Sequence, residues 1–258
     1  MWPIVSVWSL HLLRNLLFMN RLLFVCSLLC VTTFDLFAQA TKADPTDAEG
    51  WYSVGVTVDL PKKWTLSGDY QARFFNNLST YYGSYLSIGA EKELHRYLNL
   101  ITEYRAAFLN DVLTHRLTLG AGSELQVHKK VSLSLRALAQ NRIQDFYDTA
   151  EITQSSLFWR VRLAARYKIT KKCAVQASIE PIMEVGGNSI VDNWRNTLEI
   201  GYRFNKKTKL ELFYIYRPDF GKAKYNRLYH IAGLNVVFFL DADKKNKSTK
   251  KRLPATVK

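Results

Sequence analysis

Arginine and glutamate recur at every second position in several stretches of this 258-residue chain. In "SSLFWRVRLAARYK", Arg160, Arg162 and Arg166 share one parity, and in "TLEIGYRFNKKTKLELFYIYR" Glu199, Arg203, Glu211 and Arg217 share the other. Two kinds of chemistry suit such a pattern. Opposed Arg and Glu side chains form ion pairs that brace an enclosed space, because an unpaired charge away from water is costly. An arginine excess around a narrow passage instead favours anions. A third chemistry, acyl transfer at a lipid-facing rim, needs a histidine beside a serine. The histidines after residue 40 are His95, His115, His128 and His230, and His230 falls on an apolar face suited to an interfacial girdle. No GxSxG element, HExxH, Gly-rich phosphate loop or EF-hand loop occurs, so no catalytic residue, cofactor or metal ligand is expected.

The elements that carry these charges have a period of two. From Trp64 the even positions read Trp, Leu, Gly, Tyr, Ala, Phe, and the odd positions read Thr, Ser, Asp, Gln, Arg. From Val131 one parity holds Val131, Leu133, Leu135, Ala137 and Ala139; the other holds Ser132, Ser134, Arg136, Gln140 and Arg142, with Leu138 as an exception. Leu157 to Ile169 alternates likewise. On a helix, positions i and i+2 lie on nearly opposite sides, so the apolar set would encircle it; on a strand it forms one face. Eleven such segments are expected, at about 51–60, 64–75, 81–91, 97–109, 115–127, 131–143, 156–169, 173–185, 193–204, 208–217 and 227–240. Most exceed the usual strand length of about 5 to 6 residues and suit tilted barrel strands of about 9 to 11.

Connections alternate in length. Short turns carry the lysine pairs Lys62-Lys63, Lys129-Lys130, Lys171-Lys172 and Lys206-Lys207, and "KELHRY" takes that place once. Longer loops ("NNLST", "NDVLT", "QDFYDTAEITQS", "GGNSIVDN", "PDFGKAKYN") fall between. Short turns on one rim and long loops on the other predict a transmembrane antiparallel up-and-down β-barrel of about 10 to 12 strands. Aromatics (Trp64, Tyr104, Trp159, Tyr167, Trp194, Tyr202, Phe204, Tyr214, Tyr216) sit toward the ends of the apolar faces, as in an interfacial girdle. The closing "YHIAGLNVVFFL" has the glycine, apolar and aromatic spacing of a barrel-assembly signal. Bacterial single-chain barrels have even strand numbers, which predicts ten strands if 51–60 is no full crossing, or twelve with a further segment. The competing architecture is a soluble, lipocalin-like periplasmic binder with its apolar face turned inward.

With the apolar face outward, the expected lumen-lining residues are Arg73, Glu103, Arg105, Arg136, Arg160, Arg162, Arg166, Glu180, Glu199, Arg203, Glu211 and Arg217. Asp69, Arg116, Glu124, Arg142, Glu184 and Arg195 share their parity. The formal charge of +14 is spread over turns, strand faces and the tail "KKNKSTKKRLPATVK", so nucleic acid is not an expected partner. Residues 1–40 read as a cleavable signal peptide. They hold a start at Met19, basic Arg21, an apolar stretch from Leu22 to Phe34, and Ala38-Gln39-Ala40 as the cleavage pattern. Residues 41–50 then form an N-terminal segment, 51–240 the barrel and 241–258 a basic tail. Val25 and Leu29 precede Cys26 and Cys30, which disfavours lipidation, and cleavage would leave Cys173 alone, without an internal disulfide. An exported outer-membrane protein is expected, with membrane lipid and the barrel-assembly machinery as partners.

The opening "GWYSVGVTVDLPKKWTLSGDYQARF", the hairpin "TLEIGYRFNKKTKLELFYIYR" and the closing "YNRLYHIAGLNVVFFL" together resemble domain of unknown function number 2490, an uncharacterised family of bacterial outer-membrane barrels. The resemblance covers most of the chain after residue 40. It implies location and architecture and brings no activity or catalytic residue with it. The residues and the resemblance lead to one expectation: an outer-membrane barrel with an arginine-rich interior that forms a narrow anion-favouring channel. A structural barrel or a lipid-modifying enzyme is the alternative.

Overall fold

A computed structural model of the protein describes residues 46–109, 112–146, 154–186, 191–220 and 227–241. The expected signal segment, its cleavage site and most of the lysine tail lie outside them. Eleven strands follow in chain order: β1 (Thr46–Leu60), β2 (Trp64–Phe75), β3 (Thr80–His95), β4 (Leu98–Leu109), β5 (Val112–His128), β6 (Val131–Phe146), β7 (Gln154–Lys168), β8 (Cys173–Glu184), β9 (Asn193–Arg203), β10 (Thr208–Asp219) and β11 (Arg227–Asp241). Each pairs antiparallel with the next, and β1 returns to β11 to close the barrel. Closure satisfies the backbone groups of both edge strands, which an open sheet would leave unpaired.

The even-number expectation of ten or twelve strands is corrected to eleven among the described residues. The first segment is a full strand of 15 residues, longer than its visible alternation because Thr46–Gly50 also pair with β11. An odd count forces the first and last strands to run the same way, and β1 and β11 do pair in parallel from Thr46↔Leu228 to Asp59↔Asp241. Parallel ladders are slightly weaker per residue. Side chains reinforce this one: Ser53 Oγ donates to Asn235 Oδ1 at 2.5 Å. Behind the seam, Trp51, Ile215 and the fully buried Ile231 pack together inside the barrel with Phe213 and Tyr229 against them.

The short-turn rim is built as the lysine pairs suggest. Lys62 and Lys63 adopt φ of 61° and 64°, the left-handed conformation that lets three residues reverse the chain. Lys63 pairs there with Glu93, and Lys92 donates to the Lys62 carbonyl. On the opposite rim, Asn76, Asn77 and Leu78 all have positive φ. The Asp47 carboxylate accepts the N–H groups of Asn76 (3.0 Å) and Asn77 (2.9 Å), and the Leu78 N–H donates to the Ala48 carbonyl (3.1 Å). The start of β1 is thereby fastened to the β2–β3 turn. β5 begins at Val112 and so takes the last three residues of the expected loop "NDVLT" into the sheet.

The faces divide as the alternation requires. Val54, Leu66, Leu86, Ile88, Leu119, Leu135, Leu163, Leu198, Ile200 and Leu212 are exposed on the outer face. Trp159 and Tyr167 end that face of β7. They are eight residues apart, which spans about 20 Å for a strand rising about 3.3 Å per residue and tilted about 40°. Leu138, the exception in the alternation, faces inward and is buried opposite Gly120. A Cβ on Gly120 would lie 2.2 Å from the Ala137 carbonyl oxygen and 2.7 Å from Leu138 Cδ2. The missing side chain on one strand is what admits the apolar one on the other.

Gly120→Ala is therefore expected to destabilise the barrel by about 1–3 kcal/mol, the cost of overpacking against backbone that cannot yield. Gly68→Ala, whose Cβ would meet nothing closer than the Ser87 carbonyl at 3.8 Å, serves as the neutral control. Thermal melts of the folded form in detergent distinguish the two.

Candidate functional site

The inward face collects charge at mid-height. Arg160 donates from Nε (3.1 Å) and Nη2 (2.8 Å) to Glu180 Oε1, and from Nη1 to Gln140 Oε1 at 3.0 Å. Arg116 Nη2 donates to Glu103 Oε1 at 2.7 Å; Arg105 Nη2 lies 3.6 Å from the same oxygen while its Nε donates to Ser87 Oγ at 2.6 Å. Around the wall, Lys209 pairs with Glu211 and lies 3.9 Å from Glu199, and Asn235 links Glu211 to Ser53. The pairs form because the strand register sets Glu180 and Arg160 close across β7 and β8, and Glu103 and Arg116 close across β4 and β5.

Toward the short-turn rim a cavity of about 200 Å³ is lined by Arg136, Arg162 and Arg166, with Glu91 and Glu124 as its carboxylates. Arg136 is 3.7 Å from Glu91. Arg203 lies lower, its guanidinium 5.0 Å from the Phe239 ring centre.

Toward the long-loop rim a larger chamber of about 570 Å³ opens. Arg73 enters it from β2 with its guanidinium between two rings, 3.7 Å from the Trp51 centroid and 3.9 Å from that of Tyr85, and with Nε donating to Gln71. Arg217 pairs with Glu49 (3.4 Å) and Asp219 (3.1 Å) over the Tyr229 ring. Arg142 stands over Phe158, one of the most deeply buried side chains of the barrel. Arg195, from β9, also lines the chamber; its buried Nε has no hydrogen-bond partner, nor has that of Arg116.

The twelve residues expected to line a lumen thus fall into three groups. Glu103, Arg105, Arg160, Glu180, Glu199 and Glu211 belong to the paired middle, Arg136, Arg162, Arg166 and Arg203 to the short-turn end, and Arg73 and Arg217 to the chamber. Its walls also use Tyr85, Asn193 and Tyr229, and Trp51 backs Arg73; none of the four is among the residues expected from the alternation. Trp51 does carry a signal: it is a lone aromatic on an otherwise small or polar parity (Trp51, Ser53, Gly55). Tyr82 lies where the β2–β3 register shifts, and no such irregularity can be read from period two.

On the outer face, His230 Nδ1 and the Tyr214 hydroxyl are 2.6 Å apart, and the Tyr216 ring packs edge-on against the imidazole. Tyr104 and His115 repeat the arrangement at 2.6 Å. Both pairings place a phenol on the nitrogen that a serine nucleophile would need oriented by a carboxylate or amide.

A family model described as a protein of unknown function (DUF2490) matches residues 48–228. The match reaches from β1 into β11, and the chain belongs to that family. No curated protein matches the chain.

Breaking one member of the mid-height pair should be far worse than removing both. Glu180→Ala is expected to cost about 3–5 kcal/mol by stranding the Arg160 charge, whereas Arg160→Met with Glu180→Leu recovers most of the loss. Denaturant titration of the parent protein, the single variant and the double variant checks it.

Proposed function

We propose that this member of the family is an exported β-barrel of the outer membrane of a Gram-negative-type envelope, with an interior that favours anions. The observation that carries the reading is the inversion of its two faces. Long strands turn aliphatic side chains outward between aromatic ends, while arginines, glutamates, serines and glutamines fill the inside. In water such an outer surface would be a continuous apolar patch far beyond what a soluble monomer exposes. In a bilayer it matches an apolar band about 25 Å tall flanked by aromatic girdles. A lipocalin-like binder requires the opposite arrangement.

Anion preference follows from what the interior pairs leave over. The middle layer is close to neutral, because Arg160, Arg105, Arg116 and Lys209 meet Glu180, Glu103, Glu199 and Glu211. The arginine surplus lies above and below it, at the two mouths, where fixed positive charge raises the local concentration of anions and repels cations. The paired layer between the two cavities suits a narrow passage for small ions rather than an open porin. A purely structural barrel would need no such surplus, since matched pairs brace a wall better than unmatched charges.

Fractionation followed by gel electrophoresis with and without boiling is the direct test of location. The protein is expected in the outer-membrane fraction, with the unboiled form migrating apart from the boiled one; a soluble periplasmic protein without that shift would sink the reading. In a planar bilayer under a potassium chloride gradient, the reversal potential is expected to show chloride preference. Arg162→Ala with Arg166→Ala should weaken that preference. Cation selectivity in the parent protein would count against the anion reading.

A further inference from the structure

The chamber at the long-loop rim is of a size that holds small molecules, about 570 Å³. Seven of the residues around it are arginines and four are aspartate or glutamate. Most of the carboxylates are already engaged. Asp47 holds the backbone of the β2–β3 turn, Glu49 and Asp219 both pair with Arg217, and Asp192 accepts a hydrogen bond from Asn193. Glu103, at the floor, is shared by Arg105 and Arg116.

Arg195 is the chamber arginine whose nearest carboxylates are already held by other arginines. It is half-buried, its buried Nε is unpartnered, and it joins no ion pair among the described residues. The charges that act on it include three like ones, from Arg160, Arg217 and Arg73. The opposing ones are Glu180, which Arg160 already clasps, and Asp219, which pairs with Arg217. Among the described residues, Arg73 has rings on its guanidinium and no carboxylate in an ion pair with it, and Arg142 has an aromatic ring but no carboxylate either. A guanidinium cannot escape by losing its proton, so a buried group of like-charged arginines calls for an anion. The planar donor fork matches the paired oxygens of phosphate and carboxylate.

We infer that the chamber is a binding site for a small oxyanion of two or more charges, a phosphate-bearing or polycarboxylate molecule, with Arg195 as its anchoring residue. This deepens the anion-favouring reading of the interior but does not require the barrel to conduct. Multivalency follows from the surplus: a single chloride would leave most of the like-charge repulsion in place, and its spherical shape makes no use of the donor fork.

The test uses the full chain, folded in detergent, with inorganic pyrophosphate and citrate as probes against chloride of matched ionic strength. Thermal melts and titration calorimetry are expected to show stabilisation and binding by at least one of the two. A response to pyrophosphate alone assigns a phosphate-bearing ligand, and a response to citrate alone a carboxylate. Arg195→Met is expected to weaken binding by at least about tenfold, as the loss of a charge-assisted contact requires. Without oxyanion the same variant should melt no lower than the parent protein, because it removes a charge that three other arginines repel and whose facing carboxylates are paired elsewhere. Should Arg195→Met fail to give the folded band, Arg142→Gln carries the test, with an expected weakening of about threefold or more. Stabilisation no greater than that by chloride, or equal binding by parent protein and folded variant, would overturn the inference. Bilayer selectivity reads the other proposal separately. A barrel that binds pyrophosphate but does not conduct keeps the site and loses the channel, and a chloride-selective barrel indifferent to both probes does the reverse.

Discussion

A closed ladder has only two surfaces, and a charge placed on the inner one must find its partner there. The rest of the barrel depends on that constraint. Arg160 with Glu180, and Arg105 and Arg116 with Glu103, meet because β7–β8 and β4–β5 hold a fixed register. A slip of one residue in either ladder would send the arginine to the outer face and leave the glutamate alone inside. The ion pairs therefore act as register marks as much as braces. Local devices serve the same end: the Asp47 carboxylate on the β2–β3 turn, the Ser53–Asn235 contact at the seam, and the fit of Leu138 opposite Gly120. Each fixes one ladder at one height.

Charge inside the barrel is graded along its axis. The middle pairs are nearly matched, while both ends keep arginines that their neighbouring carboxylates do not neutralise. Aromatic rings share in holding charge at the long-loop end: Arg73 lies between Trp51 and Tyr85 and Arg142 over Phe158, while Arg217, over Tyr229, also has two carboxylate partners. A ring face offers partial compensation without consuming the donors in the plane of the guanidinium. That leaves those donors free for other partners, which a carboxylate in the same place would not.

Strand positions were legible in the sequence because period two is a direct image of a two-faced sheet. The second segment, 64–75, matches β2 at both ends, and most others differ by a few residues at a terminus. Terminal residues such as Thr46–Gly50, Val112 and Asp219 pair in the ladder without alternating, so hydropathy did not mark them. The closure was hidden for another reason. Whether the first strand returns to the last in parallel depends on residues almost two hundred positions apart, and the even-number rule pointed elsewhere. The paired middle was visible as charge of one parity. The chamber was visible only in part, since Arg73, Arg195 and Arg217 carry the signal while Asn193, Tyr82 and Tyr229 belong to strand ends and a register shift.

The parallel seam between β1 and β11 sets the two ends of the barrel chain on opposite rims. In an even-stranded barrel they share a rim, and a short peptide can join them while a new opening is cut elsewhere. Here such a bridge would have to run the length of a 15-residue strand, about 50 Å at about 3.3 Å per residue, through the filled interior or along the outer wall. The fold therefore resists circular permutation. Nor can copying whole hairpins generate it: at some point in its ancestry a single strand must have been gained or lost, and the seam is where the sheet accommodated it.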